Sequence, residues 1–177
     1  MTKSVKNVAR GVFVVMALAA WMLSVVSVAQ AQQSGTLAQQ IQGTWTLVSC
    51  VNEKDGQKFD VFGPNPKGLF ILMPNGRFSM ILMRADLPKF ASNSRTKGTA
   101  EENQAVVHGF QAQFGSYNVV SEKDQKVNLA VEGASFPNWN GTTQERLMNV
   151  VGEELRVTNP TPAIGSGKNY LIWKRVK

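Results

Sequence analysis

The chain changes its hydrophobic period along its length, and the changes mark out its elements. Residues 1–31 come first. Lys3, Lys6 and Arg10 precede an uncharged apolar run, GVFVVMALAAWMLSVVSV (11–28), which ends in Ala-Gln-Ala at 29–31. A basic start, an apolar middle and small residues at a peptidase site predict a cleaved signal peptide, leaving 32–177 as the mature chain. The alternative is a retained membrane anchor. A helix over 11–28 would reach only about 27 Å, against a hydrocarbon core of ~30 Å. No Cys follows the run directly, which argues against a lipid anchor.

Beyond the leader, alternation takes over. TLAQQIQ (36–42) reads as a short helical lead-in, with Thr36 and Gln39 at capping-box spacing. From 43 to 52 a strand is expected, with Trp45, Leu47, Ser49 and Val51 on one face and Thr44, Thr46, Val48 and Cys50 on the other. EKDGQ (53–57) turns the chain, and Phe59, Val61 and Phe62 mark a second short strand. Pro64 and Pro66 lack N–H donors and exclude GPNPKG (63–68) from a central strand. The clearest hairpin is GLFILMPNGRFSMILMR (68–84), where Asn75-Gly76 supplies the positive φ angles of a tight reversal. Both arms are apolar on both faces. They predict strands covered on each side, by core on one and by protein or a ligand space on the other.

The polar stretch 85–98, punctuated by Pro88 and Gly98, reads as a mobile loop. Thr99 and Glu102 then form a second capping box, opening a helix at about 100–113 whose stripe is Ala105, Val106, Gly109, Phe110 and Gln113. Alternating segments resume over 115–121, 126–134, 142–151, 154–159 and 169–176. Meanders of such short strands close into up-and-down barrels or sandwiches, because closure removes exposed edges.

Four blocks in order, GTWTLVS, FGSYNVV, VEGASFPNWNGTTQERLM and YLIWKR, resemble the bacterial and fungal lipocalin-like domain family, a calycin-like group. The resemblance runs from about Gly43 to Arg175. It implies an all-β fold with one helix: an antiparallel up-and-down β-barrel of about eight to ten strands, the 100–113 helix packed at one opening. It also implies that Trp45, in the Gly43-x-Trp45 block, lies across the closed end of the barrel beneath a basic side chain of the last strand, Arg175 or Lys174. A guanidinium over an indole face gains roughly 0.5–2 kcal/mol.

Composition narrows the function. The net charge of +7 includes the leader's three basic residues, so residues 32–177 carry +4, with no basic run. Nucleic-acid binding is therefore not expected. The single Cys, Cys50, makes no internal disulfide and reads as a small apolar strand residue. With one His and one Cys no metal site is expected, and no nucleotide-binding glycine loop or nucleophile elbow is present. No cofactor is implied.

The candidate ligand-binding residues are Phe78, Met80, Leu82, Phe110, Tyr117, Trp139 and Arg146. Phe78, Met80 and Leu82 alternate along one arm of the hairpin, where core packing explains them equally well. Tyr117 and Trp139 offer one hydrogen bond each inside an apolar pocket, and Trp139 also suits a lid over the barrel mouth. Arg146 shares its strand face with Gln144, Met148 and Val150. Inside a barrel it needs an anion, either a carboxylate such as Glu132 or a ligand's acid group. His108 is the candidate general base, set against a solvent-exposed role on the helix flank.

These readings predict an exported, non-catalytic barrel that carries or sequesters a small, mostly apolar molecule in its cavity, touching membrane only during export. One rival is an isomerase, cyclase or hydrolase acting on an apolar substrate through His108 with Tyr117 or Arg146. Another is a structural envelope domain whose barrel is filled.

Overall fold

A computed structural model describes residues 35–177; the leader expected over 1–31 lies outside the described residues. The chain enters through helix α1 (Leu37–Ile41), which carries the capping box of Thr36 and Gln39 and buries Leu37 and Ile41. Nine strands follow: β1 (Gly43–Lys54), β2 (Gln57–Asp60), β3 (Lys67–Leu72), β4 (Arg77–Met83), β5 (Phe110–Ser121), β6 (Lys126–Ala134), β7 (Thr143–Val151), β8 (Glu154–Asn159) and β9 (Lys168–Arg175). Every neighbouring pair is antiparallel, and β9 pairs back onto β1. Eight strands therefore close a barrel, while β2 extends β1 as a hairpin beside the ring.

The expected helix is real but shorter. Helix α2 (Ala100–Gly109) opens with the capping box of Thr99 and Glu102, yet ends at Gly109 and not at 113. Residues 110–113, including Phe110 and Gln113, already belong to β5. The edge of β4 offers each of them a ladder partner, from Met83↔Phe110 to Met80↔Gln113. A tertiary ladder that satisfies the backbone outcompetes four more residues of amphipathic helix.

The alternation of β1 also breaks. Trp45 and Leu47 face inward as expected, but the inward phase then passes to Cys50 and Asn52, and Val48 and Ser49 are left outside. A bulge against β9 between Leu47 and Ser49 shifts the register by one residue and flips every later side chain. A second bulge, at Phe114/Gly115 of β5, presses the backbones so close that a Cβ on Gly115 would sit 1.9 Å from the Ala130 carbonyl oxygen.

The hairpin 68–84 is covered more on one face than on the other. Phe70, Leu72, Phe78, Met80 and Leu82 are buried inside the barrel, whereas outward Ile71, Ile81 and Met83 are half-buried and Leu69 is exposed.

Strand direction places α1 and the β3–β4, β5–β6 and β7–β8 turns at one end of the barrel. The β1–β2 turn, α2 and the long connections gather at the other. The α1 end is shut. Trp45 is fully buried there, and its Nε1 donates to the Ile41 carbonyl (2.8 Å). Arg175, and not Lys174, lies over the indole, 4.0 Å from the ring centroid, and donates to the carbonyls of Gln40 and Gln42 (2.8 Å each). Gly43 makes room for this. Its φ is +128°, and a Cβ there would meet Arg175 Nη1 at 2.8 Å.

Candidate functional site: a two-chambered pocket at the open end

The closed half of the barrel is packed with large buried side chains. Phe70 meets Phe78 edge-on (6.3 Å between centroids) and Trp173 at 5.4 Å, above buried Trp45 and Ile41. Filled-barrel packing, one of the alternatives from sequence, thus describes this half only. Space opens toward the other end, so the barrel cavity lies at the mouth.

The mouth chamber holds about 490 Å³. That lies within the roughly 300–1,000 Å³ typical of small-molecule sites. Each wall comes from a different element: Phe59 of β2, Phe62 of the following linker, Val106 and His108 of α2, Phe110 of β5, and Ile164 of the β8–β9 connection. Phe136 and Trp139 complete it from the β6–β7 connection, stacked edge to face at 5.4 Å. This rim segment is pinned rather than loose. Pro137 starts a single 3-10 turn over Pro137–Trp139, Thr142 Oγ1 donates to the Trp139 carbonyl (2.7 Å), and Asn140 Oδ1 accepts from the Ala134 N–H (2.8 Å). Ser135 ties it to β5 by donating its N–H to the Ala112 carbonyl and accepting from the Ala112 N–H. Preorganised aromatic walls bury apolar ligand area at little ordering cost.

A polar collar separates this chamber from a smaller one. Phe62, Gln111, Asn159 and Asn169 line both spaces. Asn159 and Asn169 face each other in the β8–β9 ladder. Asn52 Nδ2 donates to Asn169 Oδ1 (2.8 Å) and to the Ser166 carbonyl (3.2 Å), and Asn159 Oδ1 accepts from the Thr161 N–H. The inner chamber holds about 30 Å³ between Met80, Leu82, Leu129, Met148 and Arg146. At ~10–15 Å³ per water-sized group, that is room for about two to three such groups.

Arg146 is the charged wall of this inner chamber. It is 5% exposed, and burial pulls its guanidinium down to about 10, which still leaves it protonated at neutral pH. Nη1 donates to the Glu145 carbonyl (2.7 Å) and Nη2 to Gln144 Oε1. The expected ion pair with Glu132 is absent. Glu132 is on the outer face, bridged to Arg77, whose hydrogen bond holds the carboxyl below its usual range. Glu145 pairs with Lys126 across the outer face. Gln113, also buried, donates Nε2 weakly to the same Gln144 Oε1 (3.4 Å), and its own Oε1 finds no partner among the described residues.

The residues singled out from sequence fall into three groups. Met80, Leu82 and Arg146 line the inner chamber, and Phe110, Trp139 and His108 line the mouth. Phe78 and Tyr117 line neither. Tyr117 sits toward the closed end, its hydroxyl donating to the Met73 carbonyl (2.8 Å), and burial raises its pKa. The collar of Gln111, Asn159 and Asn169 escaped the sequence reading, which gave the buried Gln113 to the helix stripe and not to the site. Their signal was available: polar side chains in the inward phase of alternating strands, as in FQAQF (110–114).

The sequence profile of the lipocalin-like domain matches residues 42–176. The chain belongs to the lipocalin-like domain family. Among relatives of this lipocalin-like protein, the 4'-hydroxy-3'-methoxypropiophenone carrier protein of Aspergillus oryzae is 29% identical over 103 residues, covering 54% of this chain and 93% of that protein. This chain is thus a member of the lipocalin-like domain family that is similar, over about half its length, to a protein named as a small-molecule carrier.

Proposed function

We propose that this lipocalin-like protein is a non-catalytic carrier that holds a small, mostly apolar molecule at the open end of its barrel. The observation that carries the reading is the mouth chamber of about 490 Å³, walled by aromatic side chains from several elements. The Aspergillus relative supports it, since the cargo in its name is an aryl ketone, a flat ring with few polar groups. A ring of that kind suits walls made by Phe59, Phe62, Phe110, Phe136 and Trp139. The basic, apolar and Ala-Gln-Ala pattern of residues 1–31 supports action outside the cytoplasm after cleavage near Ala31.

Two measurements test this. Native mass spectrometry of protein purified from its own host should show a co-purified small molecule. Titration with 4'-hydroxy-3'-methoxypropiophenone, as a probe, should quench tryptophan fluorescence saturably, and Trp139→Phe should remove most of the quench. Protein that carries nothing, and gives no saturable signal with this probe or an apolar dye at micromolar concentration, ends the carrier reading. Export is checked separately, by the N-terminal residue of the protein recovered from culture fractions.

A further inference from the structure

Within the barrel, Arg146 carries a charge that the described residues do not balance. It is 95% removed from solvent, and both of its hydrogen bonds go to neutral acceptors, the Glu145 carbonyl and Gln144 Oε1. A guanidinium has five N–H donors in a planar fork suited to a carboxylate. The adjacent acid, Glu145, is committed to Lys126 on the outer face, and Glu132, five residues along β6 from Val127, the ladder partner of Arg146, is committed to Arg77. Gln144 Oε1 serves two donors at once, Arg146 and Gln113. A buried cation so poorly supplied with acceptors is costly unless an anion arrives.

Deepening the carrier reading and resting on it, we infer that the inner chamber is an oxyanion subsite, in which Arg146 receives the carboxylate of a ligand whose apolar body stays in the mouth. Volume divides the ligand this way. The inner chamber of about 30 Å³ admits a carboxylate but no ring, while the mouth of about 490 Å³ admits the body. The route between them is shared, because Gln111, Asn159 and Asn169 line both chambers. These collar amides offer hydrogen-bonding stations to a head group that sheds water on its way in. The other inner walls are apolar, among them Met80, Leu82 and Met148, so water competes weakly for the guanidinium once the head group is seated.

The test uses a matched pair of probes, phenylbutyrate and its methyl ester, titrated calorimetrically near neutral pH, where the acid is ionised. The ester keeps the apolar body and lacks the charge. Wild type should bind the acid about tenfold or more tightly than the ester, as expected for a charge-assisted hydrogen bond in a dry site. Arg146→Met should abolish that preference by weakening the acid while the ester is held as before, and Arg146→Lys should keep part of it. Thermal melts confirm that the variants are folded. If Arg146→Met does not fold, the wild-type ratio decides alone. Equal binding of acid and ester by wild type, or a preference that survives in folded Arg146→Met, overturns the subsite and leaves the carrier reading standing. Binding of neither probe, nor of an apolar dye, removes both.

Discussion

Replacing Arg175 with Met tests whether the closed end is held by its guanidinium or only by the indole beneath it. Met preserves the apolar stem that covers Trp45 and removes the charge. Two hydrogen bonds are lost, to the carbonyls of Gln40 and Gln42, each 2.8 Å long. Bonds from a charged donor contribute roughly 1.5–3 kcal/mol each, and the contact with the ring about 0.5–2 kcal/mol. Arg175 is half-buried, so water can reach part of what it leaves, and the lower figures apply. The loss should be about 3–4 kcal/mol, a large share of the ~5–15 kcal/mol that holds a domain together. Urea unfolding followed by far-UV circular dichroism reads it directly, with an unchanged slope showing that the unfolded state is unaltered. Arg175→Lys keeps a charge but loses the fork that spans two carbonyls, and should fall in between. A loss below about 0.5 kcal/mol for Arg175→Met would show that solvated carbonyls and bare packing suffice, and the clamp would have no energetic role.

Three further outcomes follow from the same geometry. Gly43→Ala should cost about 1–3 kcal/mol in the same urea assay, because φ is +128° and the new methyl would press on Arg175 Nη1; a neutral effect would mean that Arg175 moves aside freely. Burial first, and the Asp60 charge second, push the Cys50 thiol from 9.0 to about 12, so the folded thiol keeps its proton where the unfolded one releases it. The stability this confers is intact below pH 9 and lost as pH climbs toward 12, at about 1.4 kcal/mol per pH unit, and comparison with Cys50→Ala isolates it; parallel curves for the two proteins would contradict the burial of the thiol. Trp139→Ala opens one wall of the mouth chamber and removes the stacking partner of Phe136, so a bound aryl ligand should weaken roughly tenfold or more while the urea midpoint moves little; an unchanged affinity would place the ligand elsewhere.

Much of this architecture is written locally. Asn75-Gly76 turns β3 into β4, and Thr36/Gln39 and Thr99/Glu102 open the two helices with both halves of each capping box formed. Strict alternation in TQERLMNVV was enough to turn Arg146, Met148 and Val150 inward. Such signals depend on neighbours in sequence: the pleat has period two, a cap spans three residues, and a tight turn needs its own φ angles. They determine which elements form and which face each presents.

What lies between elements was settled only by closing the ring. The bulge at Leu47/Ser49 exists because β1 must follow β9 on one edge and β3 and then β2 on the other, and no residue of β1 announces it. Helix α2 stops at Gly109 because β4 presents a free edge to Phe110–Gln113, a partner remote in sequence. Glu132 points away from Arg146 because its strand alternates it outward, where Arg77 meets it. The division of the interior into a packed floor and a two-chambered mouth arises from how side chains of eight strands share one volume. Packing is a property of the sum, and no single segment of the chain carries it.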